Sequence, residues 1–339
     1  MYNRRRFVTG LGLATIAAAC KRVPVATRDD KPGVAPAPAP PAPARQTPEP
    51  VDTGFARVDG RAHLVLDHDD VVELRRDTLI RRNGSLAVTS QIAMEDARDF
   101  AVLADRSVVL LAWGKNHAVH HIVNGKSVGK QPIMPDAVLP SASVSAYWAV
   151  GPWIARVDVA TGKQDKSVWL PDNTYGVTAV TASDGSVLVA SLHGILRVER
   201  ELTTYQWDEP ASHLGPGPAA DLVWAAREPR LSLLKLEGGK ATETAKLALA
   251  HGESLLHFTG KGDHAAATIA HTVAPHRAAC ALVVYDTHGE KWRASLGEYR
   301  TCVAALSATR VAVAAVGDTA RLLRVWDLAT GKQLASSES

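Results

Sequence analysis

The sequence predicts an all-β chain closing into a single propeller of about seven four-stranded blades, with six and eight as the neighbouring counts. Three observations predict it. Apolar runs of strand length follow one another from residue 52 to the end, among them Val71-Val72-Glu73-Leu74, Ser107-Val108-Val109-Leu110-Leu111, Ser186-Val187-Leu188-Val189 and Val311-Ala312-Val313-Ala314. Glycine turns punctuate them, and glycine suits tight hairpins because it accepts positive φ. Those turns recur at the period of one blade.

The repeat is an apolar strand ending near an acidic or polar residue, then a glycine turn, then a Lys- or polar-led strand. It reads Arg156-Val157-Asp158-Val159-Ala160-Thr161-Gly162-Lys163, then Val284-Tyr285-Asp286-Thr287-His288-Gly289-Glu290-Lys291. Its fullest form is Arg324-Val325-Trp326-Asp327-Leu328-Ala329-Thr330-Gly331-Lys332, and weaker copies end at Asn83-Gly84, Asn124-Gly125 and Gly238-Gly239. The turn glycines 84, 125, 162, 239, 289 and 331 give a mean spacing of about 41, with one glycine missing near Leu202-Thr203. That lies in the ~40–45 range of one propeller blade. Blades are expected at 52–91, 92–133, 134–172, 173–210, 211–250, 251–297 and 298–339.

A four-stranded sheet that is apolar on both faces cannot stand alone. Packing each sheet on the next around a ring hides those faces and leaves only short edges. Two segments compete for the strand that completes the last blade, Gly54–Val58 and Lys332–Ser336.

The first fifty residues read differently. A charged start, an apolar stretch of 13 residues from Phe7 to Ala19 and a run of small residues form a secretory signal over residues 1–20. A membrane crossing needs roughly 20 apolar residues. Arg4, Arg5 and Phe7 resemble the twin-arginine export motif. Ala17-Ala18-Ala19-Cys20 resembles a bacterial lipobox, whose cysteine takes a diacylglyceryl group and becomes the mature N-terminus. The other reading is a plain signal peptide cleaved near Ala19, with Cys20 incidental. Residues 21–51 are rich in Pro and Ala and carry too little bulk for a core, so a disordered, extended tether is expected there. Fully extended at ~3.1 Å per residue, the stretch Val23–Pro50 within it reaches on the order of 80 Å.

The last repeat resembles the WD40 family. Val325-Trp326-Asp327-Leu328-Ala329-Thr330-Gly331-Lys332 matches the third strand and following turn of that family, and Asp318 stands where the family places an Asp between the second and third strands. The family's Gly-His dipeptide is missing, so its hydrogen-bonded His–Ser/Thr–Trp–Asp network is expected to be incomplete. The Asp-x-x-Thr-Gly-Lys and Asp-Thr-His-Gly-Glu-Lys-Trp segments also resemble quinoprotein-like propeller repeats. In those, a docking tryptophan follows the glycine turn, which here implies Trp169 and Trp292.

Composition narrows the function. Lys and Arg number 38 and Asp and Glu 35, for a net charge of +3, and no basic run follows the first 22 residues. A nucleic-acid role therefore has no footing. No P-loop, His-Glu-x-x-His, Gly-x-Ser-x-Gly or Cys-x-x-Cys occurs. Of 13 histidines, six fall in the sixth repeat (His251, His257, His264, His271, His276 and His288), and His117, His120 and His121 form a second group. Their spacing spreads them over separate strands and loops rather than converging them on a metal. Asp67-His68-Asp69-Asp70 lacks the glycine and spaced ligands of a calcium loop and reads as a solvated turn. Arg75, Arg76, Arg81 and Arg82 read as rim charges.

Cys280 and Cys302 start strands on one face of neighbouring blades. A bridge between them and two buried free thiols are both open. No catalytic residue, cofactor or metal is assigned. The expected function is a non-catalytic, monomeric interaction platform at the periplasmic face of the cell envelope. It would be held through the lipid on Cys20, the outer membrane being the default by analogy, and its partner would be an unidentified envelope protein or peptide. The alternative is an exported cofactor- or metal-dependent quinoprotein-like propeller enzyme.

Overall fold

A computed structural model describes residues 63–339, apart from 115–116, 134, 144, 166, 172–173, 175–177, 193, 209, 275–276 and 319. Arg4, Arg5, Phe7, Cys20, the tether and Gly54–Val58 lie outside the described residues. Every regular element among the described residues is a β-strand, and there are 28 of them. They form seven antiparallel units of four sequential strands, spanning 64–93, 97–131, 137–169, 179–206, 213–248, 253–297 and 301–338. Six of the units fall inside the blades that the glycine period predicts, and the first overruns its expected end at residue 91 by two residues, because its fourth strand runs Val88–Ala93.

The strands within a blade differ in composition as their depth requires. Second and third strands are buried on both faces and read as continuous apolar runs, for instance Val108–Ala112 and Val187–Ser191. Fourth strands lie outermost and alternate exposed with half-buried residues, as in Lys240–Ala248. Even the continuous runs obey a period of two. In blade six, Ala265, Ala267 and Ile269 pack toward blade five, while Ala266 between them packs toward blade seven.

Ring closure follows from the cores. Among the described residues seven apolar clusters are present, one at each seam between consecutive blades. The seventh joins the last blade to the first, with Leu64, Leu66 and Val71 packed on Val303, Ala305, Leu323 and Val325. An open arc of seven sheets would have six seams. Arg310 adds an ion pair to Asp69 at 2.9 Å across the same junction. The last blade completes itself, because its fourth strand is Gln333–Glu338 and pairs with Arg321–Asp327. That decides the closure in favour of the C-terminal segment.

One departure from seven separate sheets occurs. The outer strands of blades four and five touch in parallel at Gln206 and Lys240, and the Gln206 N–H donates to the Gly239 carbonyl at 2.9 Å.

Candidate functional site

Strand alternation gives the ring two differently built faces. One carries the turns between first and second strands and between third and fourth strands. The other, the linking face, carries the second-to-third turns and the links from blade to blade.

The first face is built from turns that satisfy their own hydrogen bonds. Asp327 Oδ1 accepts the Thr330 N–H at 2.8 Å and the Thr330 hydroxyl at 2.7 Å, and the Gly331 N–H donates to the Asp327 carbonyl at 3.0 Å. Asp158, Thr161 and Gly162 repeat this arrangement in blade three. Hydrogen bonds from their turn threonines hold both carboxyls below their ordinary range. Gly162 and Gly331 have φ of 68° and 70°, which explains the glycine. In blade four the missing glycine corresponds to the short turn between Gly194–Val198 and Leu202–Gln206.

Asp67-His68-Asp69-Asp70 is engaged in ion pairing rather than solvated. Asp67 receives Arg81 at 2.8 Å and Arg106 at 3.1 Å, and Asp70 receives Arg106 at 2.5 Å. Burial alone would raise the Asp67 carboxyl, but hydrogen bonds from His68, Arg106 and Arg81 outweigh it and hold the group down. Arg75 and Arg82 both grip buried Glu73, at 2.9 and 2.8 Å. Three of the four arginines read as rim charges are thus internal counter-ions. Three residues of this network, Asp70, Arg81 and Arg106, line a cleft of about 420 Å³ between blades one and two.

Tryptophans sew the blades together, and only one of the two implied by resemblance does so. The Trp292 indole N–H donates to the Leu328 carbonyl at 2.9 Å, and its ring packs against Gly331. Trp169 is 71% exposed and does not dock, which corrects that expectation. Trp148 and Trp224, which the sequence analysis did not single out, perform the same task toward Gly185 at 3.1 Å and Gly262 at 2.9 Å. The three donor–acceptor separations are 37, 38 and 36 residues. A tryptophan one blade period ahead of a turn was the available signal.

The repeat-signature residues are all in the last blade, in unequal roles. Trp326 is buried in the seam between blades six and seven. Asp318 sits in the second-to-third turn as expected, but it is exposed and pairs with Arg300 at 2.7 Å. An exposed ion pair there stands in for a buried network.

The linking face gathers histidines. His213 starts the first strand of blade five, His257 lies on the first strand of blade six, and His63 precedes the first strand of blade one. The His213 and His257 rings meet edge-on with centroids 5.7 Å apart. Each is pinned through Nδ1. The Ala304 N–H reaches His257 Nδ1 at 3.3 Å, and Ser212 Oγ, whose hydrogen goes to the Ala226 carbonyl at 2.9 Å, accepts from His213 Nδ1 at 3.0 Å. Neutral His257 therefore carries its proton on Nε2, by the logic of the hydrogen-bond network. Burial pushes His213 down to about 4. Burial, with His213 and His63 beside it, pushes His257 down to about 3.

The remaining histidines do not assemble. His264 contacts Lys291 at 3.1 Å, His120 contacts Ser127 at 3.3 Å, and His117 stacks on Trp113 with centroids 5.5 Å apart. His276 lies outside the described residues. Among the described residues no group of three or more His, Cys, Asp or Glu side chains is placed to hold a metal ion.

Three exposed apolar side chains project from second-to-third turns of the linking face or the strand ends beside them. They are Leu192, Val273 and Val316, at 60%, 49% and 39% exposure. Cys280 and Cys302 lie at the same face, as buried free thiols. Cys280 belongs to the third strand of blade six, Arg277–Asp286, and Cys302 to the first strand of blade seven, Thr301–Leu306.

No protein-family model and no curated protein matches the chain. Solved structures do. The β-propeller domain of Cps50 (Swd1) from Myceliophteria thermophila superposes with a TM-score of 0.57 at 11% identity, covering 77% of this chain and 94% of that one. Hsv2 from Kluyveromyces lactis superposes at 0.56 and 10% identity, covering 81% and 96%. Hsv2 from Kluyvelomyces marxianus gives 0.56 at 12% identity, covering 80% and 94%. At such identities the likeness speaks to architecture alone, and with the seven seams it makes the fold a seven-bladed β-propeller.

Proposed function

We propose that this chain is a non-catalytic interaction platform, exported to the cell envelope and held there by a lipid on Cys20, and that it binds a protein or peptide partner on its linking face. The observation that carries the choice of face is its asymmetry. The opposite face spends its carboxylates and arginines on turns and ion pairs. The linking face presents Leu192, Val273 and Val316 around the inner-strand histidines His213 and His257. Rigid scaffolds carry function on the loops they hold in place, and exposed apolar residues rimmed by polar ones suit a partner surface. The tether supports the reading, because a Pro/Ala-rich spacer after Cys20 would lift the ring clear of a membrane.

The test is recovery of partners from membranes by the full chain, by Cys20→Ser and by Leu192→Asp/Val273→Asp. The expected result is membrane release of Cys20→Ser, with the partner lost only from the double variant. Leu334→Asp, on the outer strand of blade seven, keeps it. Partner recovery unchanged in the double variant overturns the choice of face. A stoichiometric metal or chromophore in the purified protein overturns the non-catalytic reading.

A further inference from the structure

The seam between blades six and seven holds two sulfur atoms in direct contact. The Cys302 thiol hydrogen-bonds to the Cys280 sulfur, and the Cys280 S–H donates to the Tyr299 carbonyl at 3.1 Å. Both side chains sit in one apolar cluster with Leu282, Leu296 and Val313. They are 1% and 2% exposed. Around Cys280 the backbone is shaped to admit this contact. The strand bulges between Cys280 and Ala281, opposite Gly297, which adopts φ of 100°. The chain from Gly297 through Tyr299 then carries directly into the strand bearing Cys302.

We propose that Cys280 and Cys302 form a disulfide that staples blade six to blade seven at the linking face. Bridging requires that Cα atoms approach within about 7 Å, and sulfurs already in hydrogen-bonding contact are placed to close on one another. Thr268, on the second strand of blade six, ties that blade to the Cys302 strand, its hydroxyl donating to the Cys302 carbonyl at 2.8 Å. This inference does not depend on the partner-binding reading, because the seam brings the thiols together whatever the ring binds.

The oxidant required is a disulfide of the glutathione or thiol-oxidoreductase class. The Cys280 thiolate attacks one sulfur of that disulfide, forming a mixed disulfide and expelling one thiolate. The Cys302 thiolate then attacks the Cys280 sulfur, forming the intramolecular bond and expelling the second. Two electrons pass to the oxidant, and the two protons released by the cysteines end on its two thiols. Thiolates are the attacking species, and access limits the rate. Burial therefore confines the exchange to the folding chain or to moments when the seam opens.

The experiment uses the full chain, refolded from denaturant in glutathione buffers from fully reducing to strongly oxidising. Free thiols are alkylated, and the protein is digested with trypsin without reductant. Cys280 falls in the peptide 278–291 and Cys302 in 301–310. The expected product is these two peptides joined, lost again under excess reduced glutathione. The joined form should melt several degrees higher, because the link restricts the unfolded chain. Cys280→Ala and Cys302→Ala should each fold and lack both the product and the shift. Full alkylation of both cysteines at every ratio overturns the proposal, as does glutathione attached to one cysteine without the joined product. Joined peptides with an unchanged melting temperature overturn the staple.

Discussion

At His213 and His257 the folded and unfolded chains bind protons differently. An unfolded histidine takes up its proton near pH 6.5, whereas in the ring these two wait until about 4 and about 3. Between those limits the unfolded chain holds more protons, so stability rises with pH through that window. It is fully present above about 6.5 and drains away as the pH falls toward 4, at about 1.4 kcal/mol for each unit of depression. Urea unfolding at stepped pH should show this slope, and His213→Asn/His257→Gln should flatten it. An unchanged slope would place the sensitive groups elsewhere. The sequence displayed these residues as two members of a scattered set. Their edge-on contact joins strands from two blades, and no spacing within either blade encodes it. The arginines misled for a related reason. Arg82 looks like surface charge until Glu73 is seen directly behind it at 2.8 Å.

At the scale of the element, the third-to-fourth turn was the most legible feature because its chemistry is local. Asp327, Thr330 and Gly331 complete their hydrogen bonds within five residues, so the motif can be read without any partner. Gly331→Ala should be destabilising twice over, through positive φ and through a Cβ that would sit 3.0 Å from the Trp292 ring. Gly262→Ala carries only the first penalty, since its Cβ would meet nothing within 4 Å. Thermal melts should therefore rank Gly331→Ala below Gly262→Ala by about 1 kcal/mol or more. Trp292→Phe should cost about 1 kcal/mol by leaving the Leu328 carbonyl unpaired, while Trp169→Phe should fall within about 0.5 kcal/mol of the parent. Equal losses for the two tryptophans would mean that docking adds nothing. Resemblance pointed at both residues because both follow a glycine turn. The outer strand after the first of these turns is only Val168–Trp169, too short to carry its indole to a neighbour.

At the scale of the whole molecule, closure makes seven weakly self-sufficient sheets into one cooperative body. Leu323, 1% exposed at the junction of the last and first blades, should lose about 2–5 kcal/mol on replacement by alanine. Tryptophan fluorescence and circular dichroism should still report a single transition for Leu323→Ala. Two separated transitions would show that the blades unfold piecemeal, as an open array does.

By itself, the sequence determined a repeating all-β ring of about seven blades, their boundaries to within a few residues and most of their turns, because a repeating sheet writes its period into strand length and glycine position. Only the tertiary structure decided which segment completes the last blade, which tryptophans dock, that Glu73 neutralises two arginines and that Cys280 touches Cys302. The first and third are pairings between strands of one blade, and the other two belong to seams between blades. A seam joins side chains about one repeat apart or, at the ring's closure, from opposite ends of the chain, and local patterning constrains each blade's own alternation but not the partner that fills the facing side.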